Sequence, residues 1–165
     1  GYWLLFHTLM ANSNPHEAEL LPLEAVHDWV RYFFRCRGCA EHFEEMWTAT
    51  DRQGNTGARA ARAGHEKASL WLWKAHNKVS ARLAKENPEA PAKVQWPPLQ
   101  LCTACYRPDY ANGTESIVPS KWYPKQWRQP FVFAFLQQVF CHDSDTFTCA
   151  NFFDPSGYRH VAPSG

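Results

Sequence analysis

The sequence predicts an all-α domain: a bundle of four or five helices with long irregular loops and a C-terminal extension. Three observations carry this reading. Apolar residues recur at three- and four-residue spacing in several separate stretches. Asn, Pro and Gly stand where those stretches begin and end. No stretch of useful length alternates apolar with polar residues as a half-buried strand would, and there is no internal repeat.

Taken in order, residues 2–11 are apolar and unbroken, as in the last turns of a helix. Asn14-Pro15-His16-Glu17 reads as a helix start, with Asn at the N-cap, Pro at N1 and Glu at N3. Val26, Trp29, Val30, Phe33 and Phe34 follow on one face to about residue 35, and Pro22 either splits this stretch or marks a second start. Cys36 to Thr50 continues in good helix formers, with Phe43, Met46 and Trp47 on one side. Asp51 to Gly64, with three glycines and several polar residues, reads as a surface loop. Leu72, His76, Val79 and Leu83 then mark a helix from Glu66 to Lys85, which Asn87-Pro88 stops. Four prolines between 88 and 98 impose an extended connection, and a short segment with Cys102 and Cys105 leads into a long polar loop. The apolar stretch Phe131 to Phe140 predicts a last helix starting at Pro130.

Composition narrows the function. The 165 residues suit one domain, or one domain with a tail. Apolar residues at 45% and charged residues at 20% exclude a disordered chain. A net charge of +1 provides no excess to drive binding to nucleic acid or to an acidic membrane surface. No apolar run approaches the roughly 18–20 residues needed for membrane insertion. Eight Trp, six Tyr and eleven Phe can build a dense core or grip a large flat ligand. Glycine placement excludes a G-x-G-x-x-G dinucleotide site, and neither a phosphate-binding G-x-x-x-x-G-K-[ST] nor a hydrolase G-x-S-x-G is present. The chain opens at Gly1-Tyr2-Trp3 without an initiator Met or a signal-peptide pattern, which reads as a piece of a longer protein with its first helix cut short.

Six cysteines in close pairs, Cys36/Cys39, Cys102/Cys105 and Cys141/Cys149, suggest an oxidising compartment. Asn112-Gly113-Thr114 is a glycosylation acceptor triplet and agrees with it. Cys36-Arg37-Gly38-Cys39 enters a predicted helix, where the positive end of the dipole favours thiolate. Three chemistries fit this pair: an easily reduced redox disulfide, a structural staple, or half of a zinc site completed by Cys102 and Cys105. The 62 residues between the pairs far exceed the roughly 15–20 of common four-cysteine zinc modules. His7, His42 and His76 each fall on a different predicted helix next to aromatics or the cysteine pair, without metal-ligand spacing such as H-x3-H. Stacking on, or hydrogen bonding to, a planar cofactor needs no fixed spacing and suits them better. Trp73, His76, Asn77 and Ser80 form an i, i+3, i+4, i+7 stripe suited to a heteroaromatic ring and its ribose. Lys93 and Trp96, in Lys93-Val94-Gln95-Trp96-Pro97-Pro98, add a cation for phosphate and an indole to cover a base.

Trp3-Leu4-Leu5-Phe6-His7, Cys36 through Phe43, Trp73 through Leu83, Lys93 through Pro98 and Cys102-Thr103-Ala104-Cys105 occur together and in order. Over roughly residues 1–140 this set resembles the Erv/ALR flavin-dependent sulfhydryl oxidases, most of all the C-terminal oxidase domain of the quiescin sulfhydryl oxidases. The resemblance implies a helical bundle cradling FAD, residues 1–142 forming the Erv-like domain and 143–165 a tail. It implies Cys39 as the sulfur against the flavin and Cys36 as the interchange sulfur. Family contacts to FAD carry over to Trp3, His7, His42, Trp73, His76, Asn77, Val79, Ser80, Lys93 and Trp96, with no metal. Cys102–Cys105 resembles a structural or accessory family disulfide, and Cys141–Cys149 is expected to staple the tail. The implied activity oxidises thiols of reduced protein dithiols and passes the electrons to O2 as hydrogen peroxide. The implied setting is the secretory pathway or the extracellular space, with a thioredoxin-like domain elsewhere in the full-length protein. This sequence departs from the family pattern at Ser80, where Asn is frequent, and at Gly38, where an acidic residue is common; an Arg shortly before the Trp-x3-His motif would precede Gly1. Two readings outside this class are a cofactor-free, disulfide-stapled interaction module and a zinc-binding structural domain.

Overall fold

The computed structural model describes residues 1–13, 21–51, 54–89, 95–113, 121–122 and 124–142, and among them helix is the only regular structure of any length. The α-helices are α1 (Tyr2–Ala11), α2 (Pro22–Phe33), α3 (Arg37–Thr48), α4 (Gly57–Arg62), α5 (His65–Glu86), α6 (Pro108–Ala111) and α7 (Gln129–Phe140). Two short 3₁₀ turns, Thr103–Cys105 and Pro124–Gln126, precede α6 and α7. Five of the seven helices are the ones read from periodicity; the other two, α4 and α6, are too short to show a period. The helix start expected at Asn14 lies outside the described residues. Pro22 supplies a start instead, at the first turn of α2, where its missing N–H costs nothing.

The chain forms two compact units, Gly1–Ala75 and His76–Gly165, with α5 running through the boundary. In the first, the apolar stripe Leu23, Val26 and Val30 of α2 meets Phe6 and Met10 of α1 and Phe43 and Trp47 of α3. Ala68 and Leu72 of α5 complete this core. His27 of α2 lies in the same layer, its ring stacked 4.2 Å from that of Trp47 and its Nε2 2.8 Å from a Glu44 carboxylate oxygen of α3. These contacts tie α2 to α3.

The loop expected over Asp51–Gly64 contains α4. Thr56 caps it, its hydroxyl accepting from the Arg59 N–H, and the small residues Gly57, Ala60 and Ala61 are buried. Ala and Gly create no strong apolar period, so the sequence pattern missed a helix that exists because it packs. The approach is so close that a Cβ at Gly57 would overlap the Trp47 indole. Leu83, expected on the buried face of α5, is exposed, because the buried face of α5 runs through Trp73, Asn77, Ser80 and Ala81 instead.

The second unit is organised around the fully buried Asn77 of α5. Its Nδ2 donates to the Trp96 carbonyl at 2.7 Å and its Oδ1 accepts from the Trp96 N–H at 2.6 Å, while Gln95 Nε2 donates to the Asn77 carbonyl at 3.3 Å. The next residue continues the clamp: Tyr106 Oη donates to the Pro97 carbonyl at 2.8 Å across a cis Trp96–Pro97 peptide. Burial pushes the Tyr106 phenol up, so it stays a donor. An antiparallel bridge pairs Tyr106 with Trp127, bonded on either side by Arg107 N–H to Gln126 O and Arg128 N–H to Cys105 O, both at 2.8 Å.

Two consequences are measurable. Gly57→Ala forces a methyl into the Trp47 ring and is expected to cost roughly 1–3 kcal/mol, read as an earlier midpoint in chemical denaturation. Asn77→Ala strands two backbone groups of Trp96 and is expected to cost about 2–4 kcal/mol in the same measurement.

Candidate functional site

The sulfur chemistry starts at a helix terminus. Phe34 leaves α2 in an extended conformation, and Cys36, also extended, becomes the N-cap of α3. An N-cap side chain is asked to accept from the backbone N–H groups left unpaired in the first turn. Here a sulfur does so: the Cys39 N–H donates to Cys36 Sγ at 3.3 Å. The two cysteines are joined as a disulfide, with Cα atoms 5.2 Å apart. Cys36 is exposed and Cys39 half-buried. Both sulfurs lie in the first turn, where the helix dipole stabilises whichever becomes thiolate.

The other expected site residues divide between the units. In the first, Trp3 and the buried His7 stand together on α1, ring centres 6.5 Å apart. His42 lies one turn beyond Cys39 on α3, with its Nδ1 3.1 Å from a Glu45 carboxylate oxygen, and Trp73 of α5 is buried. In the second, the His76 and Trp96 rings stack at 5.7 Å, and Phe135 and Phe140 of α7 pack against the same indole. Val79 is half-buried and Ser80 buried. Asn77, expected to contact a ligand, donates from its side-chain amide to the Trp96 carbonyl and accepts from the Trp96 N–H, which positions that residue. Lys93 lies outside the described residues, as do Cys149 and the tail 143–165.

Cys102 and Cys105 form a second disulfide, Cα atoms 5.3 Å apart, with Cys105 buried in the bridged turn. With each pair closed on itself, neither holds the thiolates of a four-cysteine zinc site. Among the described residues no group of three or more potential ligands could hold a metal ion, and no helix is long and apolar enough to cross a membrane. Cys141 ends α7 as its C-cap. Asn112 is exposed at the end of α6, while Thr114 lies outside the described residues.

Sequence reasoning missed His27 and Tyr106. Glu44 lies 17 residues from His27 and Pro97 nine from Tyr106, and no local pattern announces either pairing.

Burial depresses His76 to about 4, so the imidazole stacked on Trp96 is neutral at physiological pH. An unfolded chain takes up a proton here below about pH 6.5, whereas the folded one refuses it until about pH 4. Stability is therefore full above that window and falls as pH drops through it, by up to about 3 kcal/mol. Denaturation midpoints of the wild type and His76→Gln at about pH 7 and about pH 4.5 test this: the variant is expected to lose the His76 share of the slope.

Comparison with known proteins adds an independent line. The chain is 44% identical over 118 residues to "Sulfhydryl oxidase 1" of Homo sapiens, an alignment covering 63% of this chain and 14% of that protein. It is 42% identical over 115 residues to "Sulfhydryl oxidase 1" of Cavia porcellus, covering 63% and 17%. It is 34% identical over 161 residues to "Sulfhydryl oxidase 2" of Homo sapiens, covering 88% and 20%. The chain thus spans a fifth or less of the length of these relatives. The model of the Erv1 / Alr family matches residues 1–97, more than half of the chain, including the Cys36–Cys39 pair; the chain belongs to the Erv1 / Alr family.

Proposed function

We propose that this chain is an FAD-dependent thiol oxidase domain, most like the C-terminal oxidase domain of a quiescin sulfhydryl oxidase, that makes disulfides in reduced protein dithiols. The observation that carries the proposal is the Cys36–Cys39 disulfide capping α3, with Cys36 exposed and Cys39 half-buried. Attack by a substrate thiolate on Cys36 Sγ forms a mixed disulfide and breaks the Cys36–Cys39 bond, leaving the electron pair on Cys39 as thiolate. The second substrate thiolate then attacks the substrate sulfur of the mixed disulfide, releasing the substrate as a disulfide and Cys36 as thiolate. Two electrons have moved to the enzyme pair, and the two substrate protons to solvent. The free N–H groups of the first turn of α3 favour both thiolates.

The residues present fit a flavin. Its ring system asks for flat apolar walls and its polar edges for neutral hydrogen-bonding groups. The first unit offers Trp3, the buried His7, His42 and Trp73; the second offers the neutral His76 stacked on Trp96, with Val79 and Ser80 on the same helix. Lys93 is assigned to phosphate. When bound, FAD supplies the two-electron acceptor that carries the pair from Cys39 to O2, yielding hydrogen peroxide. Asn77 holds Trp96 in place, and the indole and imidazole walls keep water away.

Closed disulfides and an exposed Asn112 support a place in the secretory pathway or outside the cell. The small share of its relatives that this chain spans supports a larger protein, in which a thioredoxin-like domain delivers electrons to Cys36. The purified chain is expected to be yellow and to consume oxygen when given dithiothreitol. Cys39→Ala is expected to keep the flavin absorption and reduce oxygen uptake to background. Full dithiol turnover by that variant would reject the assigned electron path; a colourless chain that takes up no oxygen would favour a stapled interaction module.

A further inference from the structure

A hydroxyl on or beside a helix usually donates to a carbonyl of the turn behind it. Thr48 gives its proton to the Glu44 carbonyl at 2.9 Å, Ser13 to Met10 at 2.8 Å and Thr103 to Leu99 at 3.2 Å. Ser69 of α5 behaves differently. It is buried, and among the described residues its Oγ has no hydrogen-bond partner, neither a carbonyl of its own helix nor any other group. A buried hydroxyl in that condition destabilises the fold it sits in, so its presence calls for a role.

Ala68 and Leu72 of α5 face the apolar cluster at the core of the first unit. Ser69 and Trp73 follow each of them by one residue, about 100° further round the helix. Trp73 is 1% exposed yet lies outside that cluster, so α5 has a second buried face in this unit. A separation of four residues puts Ser69 and Trp73 on it together, with Cβ atoms about 5–6 Å apart. In sequence Ser69 extends by one turn the stripe of Trp73, His76 and Ser80. Gln126, whose amide is likewise buried without a partner, sits in a turn before α7 that holds no residue assigned to the cofactor.

We infer that the Ser69 hydroxyl is a further contact to bound FAD, hydrogen-bonded to a polar edge of the flavin ring system. The inference rests on the thiol-oxidase reading and adds a contact outside the set carried over from the family. Electrons leave Cys39 for the ring system, so that part of FAD belongs with the unit that holds the disulfide, and Ser69 is in that unit. A hydroxyl both donates and accepts, which suits an edge of carbonyl oxygens, ring nitrogens and an N–H. Trp73 gives the ring a flat apolar wall, and Ser69 gives it a directional bond.

Ser69→Ala removes one oxygen and keeps every carbon, so its effect reports the hydrogen bond. FAD release from the holo chain is followed on dilution by the rise in free-flavin fluorescence. The variant is expected to hold FAD about fivefold to tenfold more weakly than the wild type, and the visible band of its bound flavin to shift. Chemical-denaturation midpoints, taken from no added FAD upward, separate a cofactor contact from a group that serves the fold. Without added FAD the variant is expected to match or exceed the wild type, because an unpaired buried hydroxyl is gone. With FAD in excess it is expected to fall behind. Equal FAD affinity in variant and wild type overturns the inference and leaves the oxidase reading standing. So does an equal drop in midpoint with and without FAD, the mark of a hydroxyl bonded to buried water. A wild-type chain that takes up no FAD overturns the oxidase reading itself.

Discussion

A sulfur acting as a helix cap is the constraint on which the candidate chemistry depends. The first turn of α3 leaves backbone N–H groups without intrahelical partners, and Cys36 Sγ accepts one of them, from Cys39. The same contact places the two sulfurs at disulfide distance and at the positive end of the helix dipole. One geometric requirement therefore sets two properties together: where a thiolate is stabilised and how α3 begins.

The cap is useful only if α3 is held, and the core of the first unit does that. Phe43 and Trp47 sink into the apolar layer of α1 and α2, and His27 reaches from α2 both to the face of Trp47 and to the carboxylate of Glu44. Behind Trp47 the small face of α4 allows backbone approach that no side chain at Gly57 would permit. A buried imidazole bonded to carboxylates adds direction to a core whose apolar contacts are otherwise non-directional.

In the second unit a buried amide plays the corresponding part. Asn77 satisfies the backbone of Trp96 and thereby fixes an indole against His76, Phe135 and Phe140. Desolvation of His76 is the electrostatic result of that packing. The polar stripe on α5 is thus divided in role. Asn77 holds the Trp96 backbone, and His76 stacks on the Trp96 ring.

Local pattern was enough to read the five long helices and the Cys-x-x-Cys at a helix entrance, and it left Pro22 as either a break or a start, because each is set by periodicity, capping or spacing within a few residues. The ordered motifs likewise pointed to the family that the comparisons show. It took the folded chain to reveal α4, whose burial follows from the smallness of Gly57, Ala60 and Ala61 rather than from any apolar period, and the exposure of Leu83. The same holds for the work of Asn77 and His27. Their partners lie 19 and 17 residues away, and which buried polar groups meet is decided by how helices pack, after local preference has already been spent.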